Sequence, residues 1–206
     1  NIMDLKDYIR SIPDYPKKGI LFRDITTLIK NEKAFSNTIE QIVQASKDFK
    51  VDKIAAIESR GFVFASAVSY LLKKPFILLR KKNKLPAESH SVDFELEYGT
   101  ATIEVHKDSI SKGDNVLIID DLIATGGTAE ASAKLVKMSG GEVSGFIFVI
   151  NLFDLGGCDN LVKSGYKVKN LIEFPGHWCA KFAVDINYTL LTLRICQSFL
   201  KILIWI

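Results

Sequence analysis

Asp120 and Asp121 stand side by side after an apolar run, Val116-Leu117-Ile118-Ile119, and shortly beyond them the chain reads Ala124-Thr125-Gly126-Gly127-Thr128. A loop of such small residues leaves its backbone N–H groups uncovered, so several of them can converge on one phosphate. The helical pattern that follows would add the partial positive charge of a helix N-terminus at the same place. Carboxylates placed just before such a cradle are the acceptors that two adjacent ribose hydroxyls need. No Gly-Lys-Ser/Thr closes the loop, so it is not a Walker nucleotide site. The competing reading is a strand ending in a solvated acidic turn whose glycines serve backbone geometry alone. The coincidence of apolar strand, acid pair, Thr-Gly-Gly-Thr and helix favours sugar-phosphate chemistry.

A bound polyphosphate also needs cations. Arg60, in Glu58-Ser59-Arg60-Gly61-Phe62, follows a strand-like run and opens a helix-like one. That is where ligands of open sheets collect. The alternative is a surface pair between Arg60 and Glu58, worth under about 1 kcal/mol. Arg80, Lys81, Lys82 and Lys84 come directly after another apolar run. Four cations so close together repel one another unless an anion offsets them, which suits capture of a pyrophosphate; a solvated basic loop is the alternative. His90, His106 and His177 are dispersed without metal-ligand spacing, so no metal is expected to be held by the protein directly.

These residues require a scaffold that gathers strand ends. Segments 53–57, 75–79, 115–119 and 143–151 are short and rich in apolar residues, and read as strands; 62–72 and 128–138 between them read as helices. Near-continuous apolar strands are those covered on both faces, which predicts an α/β fold with a central, mostly parallel sheet flanked by helices. Segment 91–106 differs. Val92, Phe94, Leu96 and Tyr98 alternate with polar or acidic residues before Gly99-Thr100, as in a half-exposed antiparallel ribbon.

The 206 residues fit one domain with an extension, and 48% hydrophobic against 25% charged residues is ordinary for a globular chain. A net charge of +3, from 27 basic and 24 acidic residues without a basic face, argues against a nucleic-acid partner. Three cysteines (Cys158, Cys179, Cys196) form neither a paired framework nor a C-x-x-C motif, which suits the cytoplasm. The first residues lack a secretory pattern, and Met3 is the expected natural start. The tail, 178–206, is rich in Leu, Ile and Phe but interrupted by Arg194, Gln197 and Lys201. A membrane span needs about 20 apolar residues without such charges, so a packing helix, a dimer contact or read-through from a shifted frame is expected in place of an anchor.

The segment around Asp120 resembles the phosphoribosyl-pyrophosphate motif of type I phosphoribosyltransferases. Phe22-Arg23-Asp24-Ile25, Glu58-Ser59-Arg60-Gly61-Phe62, Arg80-Lys81-Lys82-Asn83-Lys84-Leu85-Pro86 and Leu96-Glu97-Tyr98-Gly99-Thr100 are similar to blocks of the adenine phosphoribosyltransferases, in family order. The resemblance covers about residues 3–177 and implies a phosphoribosyltransferase domain over 1–177, with a hood in about 1–35 and a flexible antiparallel loop in about 81–106. It implies a purine salvage enzyme that converts adenine and 5-phosphoribosyl 1-pyrophosphate to AMP and pyrophosphate, with Mg2+ carried in by the substrate, in a homodimer. By the same resemblance Arg60, Arg80, Lys81, Lys84 and Tyr98 bind the sugar phosphate together with Asp120, Asp121, Ala124, Thr125, Gly126, Gly127 and Thr128. Leu21, Phe22 and Arg23 belong to the adenine side, where an apolar residue and an aromatic ring suit a flat purine; the alternative places Phe22 and Ile25 in the core and pairs Arg23 with Asp24. Glu97, with Asp120 and Asp121, is the implied catalytic set, Glu97 either handling the adenine proton or stabilising charge on the sugar. Enzymes for other purines share the phosphate loop, but the blocks at Phe22 and Leu96 favour adenine. A non-catalytic regulator of this fold would need an added DNA-binding module or a basic face, whereas the segment before the first sheet strand carries residues similar to the adenine family instead.

Overall fold

The computed structural model describes residues 3–96 and 99–176; Glu97, Tyr98, His177 and the tail 178–206 lie outside the described residues. After a 3-10 turn at Leu5–Tyr8, β1 (Arg10–Pro13) and β2 (Leu21–Asp24) pair antiparallel as a separate two-stranded sheet. A short helix α1 (Thr26–Ile29) leads to α2 (Glu32–Ser46), whose start is capped by the Asn31 side chain accepting from the Ala34 N–H at 3.0 Å. There follow β3 (Lys53–Ile57), α3 (Arg60–Leu72), β4 (Phe76–Lys81), β5 (Ser89–Leu96), β6 (Gly99–His106), β7 (Asn115–Ile123), α4 (Gly127–Met138), β8 (Glu142–Leu152), α5 (Gly157–Lys163) and β9 (Val168–Phe174).

The main sheet has seven strands in the order β5-β6-β4-β3-β7-β8-β9. Strands β4, β3, β7, β8 and β9 run parallel to one another, while β6 runs antiparallel to both β4 and β5. Alternate side chains of the central strands feed two cores. Ile54, Ala56, Leu117, Ile119, Ile147 and Val149 pack on one face with Ile39 and Ile42 of α2 and Phe64 and Val68 of α3. Ala55, Ile57, Val116, Ile118, Phe146 and Phe148 pack on the other with Ala131, Leu135 and Val136 of α4. Each fully buried Ile, Leu or Phe stabilises the fold by roughly 1.5–3 kcal/mol. This two-sided burial is why the strands read as unbroken apolar runs.

The α/β expectation holds, with three boundary corrections. Asp120 and Asp121 lie inside β7, not beyond it, because the ladder with β8 continues through Leu122↔Ile150 and Ile123↔Asn151. Arg80 and Lys81 are the last residues of β4, not a loop after it, because they pair with Glu104 and Ile103 of β6. Helix α3 starts at Arg60, two residues before the expected segment. The ribbon is present as β5 and β6, joined through β6 to the edge of the main sheet. Among the described residues no helix is long and apolar enough to cross a membrane.

Candidate active site

Strands β3 and β7 are parallel neighbours, so the chain leaving β3 lies beside the carboxyl end of β7. Ligands of open sheets collect at such strand ends. What leaves β3 is Glu58, Ser59 and the first turn of α3; the Glu58–Ser59 peptide is cis. Arg60 Nε lies 3.0 Å from Asp121 Oδ2, an oxygen that is buried and has no hydrogen-bond partner. The Arg60 guanidinium also lies 5.5 Å from the centre of the Phe22 ring, within cation–π range. Gly61 faces Asp120 so closely that a Cβ there would sit 2.6 Å from Asp120 Oδ1. Two consecutive residues of α3 therefore hold the two acids, Arg60 by charge and Gly61 by leaving room.

Asp120 Oδ1 accepts the Asp121 N–H at 2.9 Å. Burial, followed by the charge of Asp121, raises the Asp120 carboxyl well above the ordinary carboxylate range. Burial raises Asp121 as well, and the Arg60 guanidinium opposes that rise. Asp121 Oδ2, paired with Arg60 by charge but without a hydrogen bond, can still accept from a hydroxyl donor.

The cradle residues follow directly. Gly126 takes φ +94° as the residue before α4, and Ala124, Thr125, Gly126, Gly127 and Thr128 all line one cavity of about 640 Å³. Leu21, Phe22, Arg23, Arg60, Lys81, Asp120 and Asp121 line the same cavity, so most residues singled out from the sequence meet in one place. Arg80 and Lys84 are not in its wall. Glu58 accepts from Arg80 Nε at 3.1 Å and from the Lys81 N–H at 3.1 Å, and Arg80 Nη1 donates to the Lys84 carbonyl at 3.2 Å. Glu58 thus ties the basic segment to the strand end, and the Arg80 hydrogen bond, the largest cause, holds its carboxyl below the usual range. Neither alternative pairing is found: Arg60 meets Asp121 and not Glu58, and Arg10, not Arg23, pairs with Asp24 at 2.5 Å.

Arg23 is buried and spans the two-stranded sheet and the end of β9. It donates to Ser11 Oγ at 2.5 Å and to the Pro175 carbonyl at 2.9 Å, with its guanidinium 4.3 Å from the Phe174 ring centre. Burial lowers its pKa, against the favourable charge of Asp154. Ile20, Glu95, Leu152 and Leu155 carry no motif in the sequence, yet line the cavity. The signal that points to Leu152 and Leu155 is position: Leu152 ends the parallel strand next to β7 and Leu155 lies in the turn that follows it. Glu97 and Tyr98 lie outside the described residues. Among the described residues no group of three or more His, Cys, Asp or Glu is arranged to hold a metal ion.

The phosphoribosyl transferase domain family matches residues 24–184. Over 175 residues the chain is 80% identical to the adenine phosphoribosyltransferase of Pelagibacter ubique, covering 85% of this chain and 100% of that protein. The chain belongs to the adenine phosphoribosyltransferase family. The crystal structure of the family member from Thermoanaerobacter pseudethanolicus superposes with a TM-score of 0.80 at 49% identity, over 82% of this chain and 98% of that one. The Saccharomyces cerevisiae member, solved with an iminoaltritol bisphosphate and adenine, gives a TM-score of 0.75 at 35% identity, over 82% of this chain and 96% of that one.

Proposed function

We infer that the chain joins adenine to the ribose of 5-phosphoribosyl 1-pyrophosphate, forming AMP and releasing pyrophosphate in purine salvage. The single observation that carries the reading is the meeting, in one cavity, of an acid pair in which Asp121 is buried and Asp120 half-buried, a small-residue loop opening a helix, and an apolar slot at Leu21 and Phe22. The yeast relative's complex with a sugar-bisphosphate mimic and adenine supports the same pairing of ligands.

In this reading the 5-phosphate rests on the backbone N–H groups of Ala124 to Thr128, and the ribose hydroxyls donate to Asp120 and Asp121. Arg60 and Lys81 face the pyrophosphate, with Arg80 and Lys84 behind them. As the bond from C1 to the pyrophosphate oxygen lengthens, positive charge grows on the sugar and negative charge on the leaving group, and adenine N9 forms the new bond from the opposite face. The chain's contribution is positioning and charge balance. Phe22 and Leu21 cover the base, and Arg23 holds their strand in place. Glu97 is proposed to take the proton leaving adenine or to stabilise the sugar cation, and Tyr98 to contact the sugar phosphate. The buried, unsatisfied Asp121 oxygen fits a site that also receives positive charge, and Asp120 and Asp121 would hold Mg2+ only through the ribose hydroxyls they bind. The ion would supply neutralisation of the pyrophosphate, most of its oxygens coming from the substrate.

The domain over 1–177, with a hood in about 1–35 and a closing loop in about 81–106, is the proposed division, with 178–206 as an added segment. A cytoplasmic homodimer is the proposed state. Radiolabelled adenine with magnesium and phosphoribosyl pyrophosphate tests the activity. AMP should form only when both substrates are present, and hypoxanthine and guanine should compete poorly. AMP formation without phosphoribosyl pyrophosphate, or equal use of hypoxanthine, would overturn the reading.

A further inference from the structure

We propose that Gly157 is a positioning residue for the phosphate-binding loop. The start of α5 is the wall on which residues 124–128 are folded, and their hold on a sugar phosphate depends on position 157 having no side chain. The proposal rests on the reading that this loop binds the 5-phosphate.

The Gly157 N–H donates to the Ala124 carbonyl at 3.1 Å, fixing the first residue of the loop. A Cβ at Gly157 would lie 2.4 Å from that carbonyl oxygen, 2.7 Å from the Gly126 nitrogen and 2.7 Å from the Thr125 carbonyl carbon. The approach is mutual, since a Cβ at Gly126 would lie 3.1 Å from Gly157 Cα. Every atom involved is backbone, so no rotamer change can relieve the contact. Ordinary contact begins at 3.4 Å, so a methyl group at 157 must push the loop away by about 0.7 to 1.0 Å. Amide donors work only when aimed, and a misplacement of about 1 Å can lower a rate by about 100-fold. Gly126 and Thr125, the residues displaced, stand at the centre of the cradle.

Gly156 provides the contrast. It takes φ +77° but has nothing within 4 Å of where its Cβ would be, so its requirement is conformational and local. The structure separates the two members of the Gly156-Gly157 pair: one shapes the turn and the other admits the loop.

The test measures ribose 5-phosphate affinity, the KM for each substrate and thermal stability in the wild type, Gly157→Ala, Gly156→Ala and Thr128→Trp, whose bulk would obstruct the cradle. Gly157→Ala should weaken ribose 5-phosphate binding and raise the KM for phosphoribosyl pyrophosphate by about ten-fold or more, with the KM for adenine changed less than about three-fold. Gly156→Ala should lower the melting temperature with ribose 5-phosphate affinity nearly unchanged. Wild-type affinity in Gly157→Ala, with Thr128→Trp weakened, overturns the role of Gly157 and leaves the cradle standing. Wild-type affinity in both overturns the cradle reading as well. If Gly157→Ala does not fold, amide exchange on the wild type decides. Ribose 5-phosphate should slow exchange at the Gly157 amide together with those of the loop, and an unchanged Gly157 amide overturns the proposal.

Discussion

Replacing Gly61 with alanine should lower catalysis without unfolding the protein. The added Cβ would lie 2.6 Å from Asp120 Oδ1, and since ordinary contact begins at 3.4 Å, the carboxylate must retreat by about 0.8 Å. The Ile119 carbonyl at 3.2 Å and Asp120 Cα at 3.4 Å restrict how far the helix can yield instead. A displacement near 1 Å in a positioned group costs up to about 100-fold in rate, close to 2.7 kcal/mol of transition-state stabilisation. Folding should suffer less. Alanine is favoured over glycine inside a helix by about 0.5–1 kcal/mol, which offsets part of the roughly 1–3 kcal/mol that overpacking costs. Initial rates of AMP formation, with the melting temperature measured alongside, check the prediction. A fall in kcat/KM of about 30- to 100-fold with a folded protein is expected. Activity within about three-fold of wild type would refute the claim that the carboxylate's placement depends on the bare Gly61 position.

Asp120→Asn should cut turnover by about 100-fold or more, read in the same assay. Because burial raises the Asp120 carboxyl, the native state binds more protons than the unfolded chain above the ordinary carboxylate pKa, so stability falls as pH rises through that window. Asp120→Asn should therefore melt no lower than wild type at pH 8, and a large loss of stability there would contradict the burial argument. Asp24 behaves oppositely. Its carboxyl is held at about 2, first by the Thr26 N–H and also by Arg10, which contributes about 2 kcal/mol above pH 4 that is lost as pH falls through 2. Melting curves of wild type and Asp24→Asn should differ at pH 7 and converge below pH 2. Replacing Thr125 with a bulky residue should raise the KM for phosphoribosyl pyrophosphate by about ten-fold while adenine binding stays near normal; an unchanged KM would speak against the cradle.

The phosphate loop was legible because its chemistry is local: small residues, an apolar strand before them and a helix after them are contiguous in the chain. The sheet was legible for the same reason, its central strands being apolar on both faces. The partners of the charges were not. Arg60 meets Asp121 only because β3 and β7 are adjacent, and Glu58 meets Arg80 only because β4 flanks β3 on the other side. The end of β7 was misplaced because pairing with β8, not local propensity, carries the ladder past the acids. Leu152, Leu155 and Gly157 reach the site from the end of β8, the turn after it and the start of α5, a contact that no spacing in the chain announces.

A crystal structure with AMP bound tests the central claim most directly. The account predicts the phosphate within hydrogen-bonding distance of the backbone amides of residues 124–128, the ribose hydroxyls on Asp120 and Asp121, and the adenine against Leu21 and Phe22. AMP bound elsewhere, or reversed so that its base occupies the loop, would contradict it.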